Sequence, residues 1–123
     1  MCGDGWHCNE GSSYFVSAER SDWSAARDRC VDVGATLASV KDQPENTYLN
    51  DLLKTYGEDF YWLGGSRASS GGPWLWETGE AWGYENWSDL RANLCMGISV
   101  ISSIGLQDMD CMHAHRYVCE KIA

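Results

Sequence analysis

The 123-residue chain contains no apolar run that approaches the roughly 20 residues needed to cross a bilayer as a helix. Its longest apolar-leaning piece, MGISVISSIGL at 96–106, is interrupted by Gly and Ser. The N-terminus has no charged segment followed by an apolar one, so no signal peptide is predicted. Met1 directly before Cys2 suggests a start residue added to an excised domain. We expect a single domain over residues 1–123, with no membrane insertion.

Basic residues are scarce. The chain has 9 Lys and Arg against 18 Asp and Glu, for a formal net charge of −9. This charge repels the phosphates of nucleic acid and the headgroups of anionic membranes, so neither is an expected partner. It suits a soluble extracellular protein, and it is compatible with a surface that holds a cation.

Signatures of catalysis are also missing. The chain has no G-x-S-x-G, P-loop or H-E-x-x-H motif, and no C-x-x-C pair of the kind that begins many zinc sites. His113 and His115 would face the same side of a strand and can bind one metal together. A catalytic metal site needs a third ligand and a base, and the other histidine, His7, lies in the N-terminal loop. We therefore expect no enzyme and interpret these two histidines as a surface pair.

Six cysteines are the strongest compositional signal. They stand at positions 2, 8, 30, 95, 111 and 119. An even number in a small chain indicates three disulfides and an oxidising, extracellular environment. Six cysteines allow 15 pairings, and spacing alone does not choose among them.

Two early segments have the periodicity of helices. In SDWSAARDRCVDVG at 21–34, Ser21 or Asp22 can cap the helix and Gly34 ends it. In DQPENTYLNDLLKTYG at 42–57, Pro44 lies in the first turn, where it costs no hydrogen bond. The apolar faces carry Trp23, Ala26 and Cys30 in the first helix, and Tyr48, Leu49, Leu52, Leu53 and Tyr56 in the second.

Short strand-like segments make up most of the remaining chain. They are SYFVSAE at 13–19, ATLASV at 35–40, DFYWLGG at 59–65, WLWETG at 74–79, LCMGISVI at 94–101, IGL at 104–106 and HRYVCEK at 115–121. The stretch from Gly65 to Asn93 has little periodicity and is predicted to be a long loop region, the kind of segment that often binds ligands. We predict an α+β fold with two helices and mainly antiparallel sheets.

Several short motifs follow one another in a particular order. They are W-x-x-A-x-x-x-C at 23–30, GATLASV at 34–40, YWLGG at 61–65, WLWETG at 74–79, YENW at 84–87, and D-x-D-C through YVCEK at 108–121. With four cysteines in register, this set resembles the C-type lectin-like domain over nearly the full length of the chain. The resemblance implies that family's fold, its long loop region and a recognition function.

The resemblance also implies a disulfide pairing. Cys30 is expected to bond with Cys119, Cys95 with Cys111, and Cys2 with Cys8, the last like the extra N-terminal bond of long-form domains. The family's packing implies that Trp62, Trp74, Trp76 and Trp87 lie in the core under the long loop. Trp82 and Tyr84, in the GEAWGY stretch, are then candidates to contact a ligand.

The family's usual Ca²⁺ and sugar motifs are degraded in this chain. Between Trp87 and Cys95 stands SDLRANL, with no Glu-Pro-Asn or Gln-Pro-Asp, and the family's Trp-Asn-Asp triplet reads Leu106, Gln107, Asp108. The remaining candidate ligands are Asp89, Asn93, Gln107 and Asp108. Two carboxylates and two amides would make a weak Ca²⁺ site, in the range of about 0.1–1 mM, and the alternative is that Asp108 only orders the turn before Cys111.

We therefore expect an extracellular recognition domain, secreted or part of a receptor ectodomain, that needs no firmly assigned cofactor. Its partner is a cell-surface protein or a glycan, bound through the long-loop region, and a homodimer is compatible with the sequence. The alternative is an atypical Ca²⁺-dependent carbohydrate-binding lectin, for example one used in innate immune recognition of microbes. Asn86-Trp87-Ser88 fits the N-glycosylation pattern, with low occupancy expected because Trp87 is predicted to be buried.

Overall fold

The computed structural model describes residues 3, 5–102 and 104–122, and these residues form two helices and nine strands. In chain order they are β1 His7–Asn9, β2 Ser12–Val16, α1 Trp23–Asp32, β3 Thr36–Leu37, α2 Gln43–Lys54, β4 Phe60–Ser66, β5 Leu75–Trp76, β6 Trp87–Asp89, β7 Cys95–Ser99, β8 Gly105–Met109 and β9 Arg116–Ile122. The predicted α+β arrangement, with both helices early in the chain, is confirmed.

Asp22, rather than Ser21, caps α1. Its side chain accepts a hydrogen bond from the backbone N–H of Ala25 at 2.9 Å, which satisfies one of the free donors at the helix start. Gly34 follows the helix at a φ of 77°, a conformation that glycine adopts without steric cost. The predicted apolar face is buried, with Trp23, Ala26 and Cys30 all in the core.

Asp42 caps α2 in the same way, because its side chain accepts a hydrogen bond from the N–H of Glu45 at 2.9 Å. Pro44 stands in the first turn, as predicted. Leu49 and Leu53 are fully buried, and the predicted face is completed by the partly buried Tyr48, Leu52 and Tyr56.

The strands form one connected sheet in the order β1-β2-β9-β4-β7-β8-β6, with β3 paired to β9 and β5 to β4. Most neighbours are antiparallel, as expected, but β4 and β9 run parallel, and so do β6 and β8. Two strands were not predicted: β1, in the N-terminal segment, and β6, inside the stretch predicted as a loop. Both are only three residues long, so their own sequence carries almost no strand periodicity.

Two of the three predicted disulfides lie within the described residues, and both are confirmed. Cys30 bonds with Cys119, with a Cα–Cα distance of 5.4 Å, and joins α1 to β9. Cys95 bonds with Cys111, with a Cα–Cα distance of 5.2 Å, and joins β7 to the turn that follows β8. The predicted Cys2–Cys8 bond involves Cys2, which lies outside the described residues.

The buried apolar side chains form two clusters. One lies under the long loop region and contains Trp74 and Trp76 together with Leu49, Leu53 and Ile98. The other surrounds the Cys30–Cys119 bond and contains Trp23 and Tyr117. Trp62 is fully buried, as predicted, but in this second cluster, and Trp87 is only partly buried at the edge of the first. Neither helix in the described part of the chain is long and apolar enough to cross a membrane.

Candidate functional site: the long-loop face

Four tryptophans of the long loop region, residues 65–93, form one aromatic cluster, and we call the surface of this region the long-loop face. Trp82 stacks on Trp76 with ring centroids 4.7 Å apart, and it lies 6.1 Å from Trp74 and 6.0 Å from Trp87. Stacked rings at these separations add to the stability that burial gives. Trp82 is therefore half-buried and helps to hold the loop on the core, in addition to its predicted role at the surface.

The polar atoms of the two predicted aromatic contact residues already have partners. The Trp82 Nε1–H donates to Glu85 Oε2 at 2.6 Å. The Tyr84 hydroxyl donates to Gln43 Oε1 at 2.6 Å, which ties the loop to the first turn of α2. Burial raises the pKa of Tyr84, so the hydroxyl remains a donor at neutral pH. The parts of these side chains open to a ligand are therefore mostly ring surface.

Asp108 is almost completely buried, with 2% of its surface exposed, and both of its carboxylate oxygens are occupied. Oδ1 accepts from the backbone N–H of Arg91 at 2.7 Å, and Oδ2 accepts from the N–H of Asn93 at 2.8 Å. Asp108 thus orders the distant segment 91–93. The turn that follows is held by Asp110, whose Oδ1 accepts from the N–H of Met112 at 2.9 Å.

Arg67 holds the other side of the same segment, and sequence reasoning did not single it out. Its guanidinium donates to the carbonyls of Asn93 and Arg91, both at 2.9 Å, and its backbone N–H donates to the carbonyl of Leu94 at 2.9 Å. The guanidinium carbon lies 4.5 Å from the ring centroid of Trp74, and only 9% of the residue is exposed. We call Arg67, Asp108 and the segment 91–94 between them the loop clamp.

The four candidate Ca²⁺ ligands lie in one region of the structure. Asp89 and Gln107 are neighbours in the β6–β8 pair, and Asp108 reaches the backbone of Asn93. Their donor atoms suit the ion poorly, because it takes 6–8 oxygen ligands and each oxygen of Asp108 already accepts a hydrogen bond from a backbone N–H. Asp89 Oδ2 lies 2.8 Å from Arg91 Nε in an ion pair. The strength of Ca²⁺ binding in solution stays a prediction.

The two histidine rings lie near each other, with centroids 6.3 Å apart, but their surroundings differ. His115 is half-buried, with its ring against Phe60 at 4.6 Å and Trp62 at 5.4 Å, so it is part of the packing and not a free surface residue. Burial, and then the neighbouring His113, lower the pKa of His115. His113 is exposed, 3.9 Å from Asp110 Oδ2. Among the described residues, no three His, Cys, Asp or Glu side chains are grouped so that they could hold a metal ion.

Four exposed apolar side chains lie close to the elements of the loop clamp in sequence or in strand register. Leu75 is opposite Ser66 at the end of β4, on the side of that strand away from Cys95. Leu94 precedes Cys95, and Met112 follows Cys111, so both flank the same disulfide. The exposed fractions are 67% for Leu75, 48% for Leu90, 37% for Leu94 and 76% for Met112. We call these four residues the apolar rim.

The sequence matches the family model described as the Lectin C-type domain over residues 19–121. It is 27% identical to the type-2 ice-structuring protein of Brachyopsis segaliensis, a match that covers 100% of this chain and 74% of that protein. It is 26% identical to the natural killer cells antigen CD94 of Mus musculus, over 99% of this chain and 66% of that protein, just under two thirds. A solved structure of a calcium-independent type II antifreeze protein superposes with a TM-score of 0.86 at 26% identity, covering 100% of this chain and 95% of that one. None of these names is that of an enzyme. Because the family model matches most of the chain, the protein belongs to the C-type lectin domain family.

Proposed function

We propose that this domain is an extracellular, non-enzymatic recognition module that binds a protein surface through its long-loop face without Ca²⁺. The observation that carries the proposal is the state of Asp108, the one carboxylate retained from the family's ion site. Both of its oxygens accept backbone N–H groups, so the loop is already ordered by the protein's own atoms. A loop ordered in advance loses less conformational entropy when it binds a partner.

The apolar rim favours a protein over a sugar as the partner. Leu94 and Met112 present methyl and thioether groups to solvent beside the Cys95–Cys111 disulfide, and Leu75 is exposed on the other side of β4. Neighbouring exposed apolar side chains of this kind are typical of protein interaction sites. Two similar proteins support the proposal, because one is named a natural killer cells antigen and one structural neighbour is described as calcium-independent.

Binding of a glycan is the second candidate, and Trp82 is the observation that favours it. This ring is half-buried, and Glu85, at its Nε1 edge, is exposed and can accept hydrogen bonds. A sugar ring can stack on such an aromatic face while its hydroxyls bond the carboxylate. If that binding required Ca²⁺, the domain would be an atypical lectin of the kind used in innate immunity.

The test is a binding screen of the purified domain against a panel of extracellular ectodomains and a glycan array, each with Ca²⁺ and with EDTA. We expect binding to an ectodomain that persists in EDTA. Leu75→Ser should weaken it about tenfold by removing an exposed anchor. The matched control is Val31→Ser, because Val31 is 59% exposed on α1, away from the loop.

Three other outcomes of the screen would each contradict the proposal in a different way. Glycan binding that Trp82→Ala abolishes and Leu75→Ser leaves intact would replace the protein partner with a sugar. Binding that disappears in EDTA would establish the Ca²⁺-dependent alternative. Because one relative is an ice-structuring protein, a thermal hysteresis measurement on the same sample completes the screen, and clear activity there would contradict the proposal.

A further inference from the structure

We propose that Arg67 performs the ordering role of a bound cation at the base of the long loop region, where the chain leaves β4 and enters β7, and that together with Asp108 it holds segment 91–94 in its binding conformation. Only the statement that this conformation is the one that binds a partner rests on the proposed function. The ordering itself concerns atoms within this chain and can be measured without a partner.

Arg67 contacts the kind of group that a bound cation would also contact. Its side chain donates two hydrogen bonds to main-chain carbonyl oxygens, those of Arg91 and Asn93. Carbonyl oxygens are also ordinary ligands of Ca²⁺ in proteins, and they are attracted by positive charge in either case. The positively charged guanidinium therefore attracts these carbonyl oxygens as an ion would, and its N–H groups set the direction of each contact.

The clamp pairs most of the polar backbone groups of segment 91–94. Five backbone groups of the segment 91–94 have partners in it: the N–H and carbonyl of Arg91, the N–H and carbonyl of Asn93, and the carbonyl of Leu94. The carboxylate of Asp108 takes the two donors, and Arg67 takes the three acceptors. Pairing most of a segment's polar backbone groups in this way restricts its conformation.

The positive charge of Arg67 is buried. The residue is 9% exposed, and its guanidinium lies over the face of Trp74. Ring and carbonyls together compensate for the lost solvation of the charge. A lysine has neither the planar group that stacks on the ring nor donors fixed in a fork, so it would reproduce the charge but not the geometry.

The experiment measures hydrogen exchange of the Arg91 and Asn93 amides in the whole domain, with excess Ca²⁺ and with EDTA. In the unmodified protein we expect equal protection in both. Arg67→Met should speed the exchange of these amides about tenfold or more, the loss expected for hydrogen bonds from a charged group. Trypsin should also cut after Arg91 faster, because opening the segment exposes that bond.

The matched control is Arg27→Met. Arg27 also lies over a tryptophan ring, 5.5 Å from the centroid of Trp23, but it is on α1 and takes no part in the clamp. Protection in α1 and β4 serves as the internal reference for intact folding. If Arg67→Met unfolds the domain, Arg67→Lys is used, and it should loosen segment 91–94 while β4 stays protected.

Two results would overturn the inference: unchanged protection at Arg91 and Asn93 in the Arg67 variants, or protection in the unmodified protein that EDTA removes. Neither depends on finding a partner. If the segment behaves as expected and no protein ligand is found, the proposed function fails and the role of Arg67 stands.

Discussion

Asp59 shows how much local order one side chain can create. It lies just before β4, and its Oδ1 accepts hydrogen bonds from Ser99 Oγ at 2.9 Å, Ile101 N–H at 3.0 Å and Ser102 N–H at 3.2 Å. Its Oδ2 accepts from the Ser102 hydroxyl. Burial raises the pKa of this carboxyl, but the hydrogen bonds outweigh it and lower the pKa from 3.8 to about 2. The turn after β7 is therefore held by a carboxylate that stays charged in mild acid.

Replacing Asp59 with Asn should destabilise the domain by about 1–2 kcal/mol at neutral pH, because an amide nitrogen cannot accept the bond from Ser102. The pKa is lower in the folded state, so the stabilisation is complete above about pH 4 and is lost as pH falls toward 2. Urea unfolding from pH 7 to pH 2 should show the gap between wild type and variant closing in acid. Asp51→Asn, on the exposed side of α2, is the control. A difference in unfolding free energy between wild type and Asp59→Asn that stays constant from pH 7 to pH 2 would contradict the lowered pKa of Asp59.

The loop clamp also shows the limit of sequence reasoning at the scale of single residues. Asp108 could be singled out because it stands in a recognisable motif, although its partners could not. Arg67 lies 24 and 26 residues from the carbonyls it contacts, and no local pattern connects them. Only the register of β4 with β7 brings Arg67 next to Leu94.

At the scale of elements, the helices were the most predictable parts. Each has an Asp cap and an apolar face with a 3.6-residue period, signals that are entirely local. The missed strands β1 and β6 are defined by pairing with β2 and β8, and β6 pairs with residues almost 20 positions away. The parallel contact of β4 with β9 is equally non-local, which is why an expectation of mainly antiparallel sheets missed it.

Gly97 lets β7 approach β4 closely in the centre of the sheet. A Cβ at this position would lie 2.0 Å from the carbonyl oxygen of Tyr61 and 2.6 Å from the ring of Phe60. Gly97→Ala should therefore cost about 3 kcal/mol or prevent folding, since the backbone oxygen cannot move without breaking the β4–β7 pairing. Thermal unfolding measures the cost.

The control for this change is Gly83→Ala in the long loop. A Cβ at Gly83 meets no atom within 4 Å, and this glycine is not among those with positive φ, so the variant should unfold within a few degrees of wild type. If the Gly97→Ala and Gly83→Ala variants had equal stability, this would contradict a close approach of β7 to β4 at Gly97.

At the scale of the whole molecule, the two described disulfides should differ in their effects. Cys30–Cys119 closes a loop with a sequence separation of 89, and Cys95–Cys111 one of 16. On the chain-entropy model these are worth about 4–5 and about 3 kcal/mol. Replacing each pair by alanines and measuring urea unfolding should give the larger loss for Cys30–Cys119, and the reverse order would contradict this account.

A buried group of acidic side chains connects the two ends of the chain. Glu120 in β9 is 2% exposed, and it accepts from Ser12 Oγ at 2.6 Å and from Ser39 N–H at 3.1 Å. The Ser39 hydroxyl also donates to Glu80 in the long loop. Glu45 of α2 faces the same group, bonded to the Tyr14 hydroxyl and 3.5 Å from the ammonium of Lys41. Burial, and then the charges of Glu45 and Glu80, raise the pKa of Glu120 even though its hydrogen bonds lower it.

This shift has the opposite sign to that of Asp59. Because the pKa of Glu120 is higher in the folded state, the contribution of Glu120 to stability is complete below the unfolded value of 4.5 and is lost as pH rises through the folded pKa.

Glu120→Gln keeps an oxygen for Ser39 and gains a donor for Ser12, but it carries no charge. The variant should be more stable than wild type near neutral pH, on the order of 1 kcal/mol, with the advantage shrinking toward pH 4. Urea unfolding between pH 4 and 8 measures this, with the exposed Glu10→Gln as the control. An advantage that grew as pH fell would show that Glu120 is stabilised in its charged form.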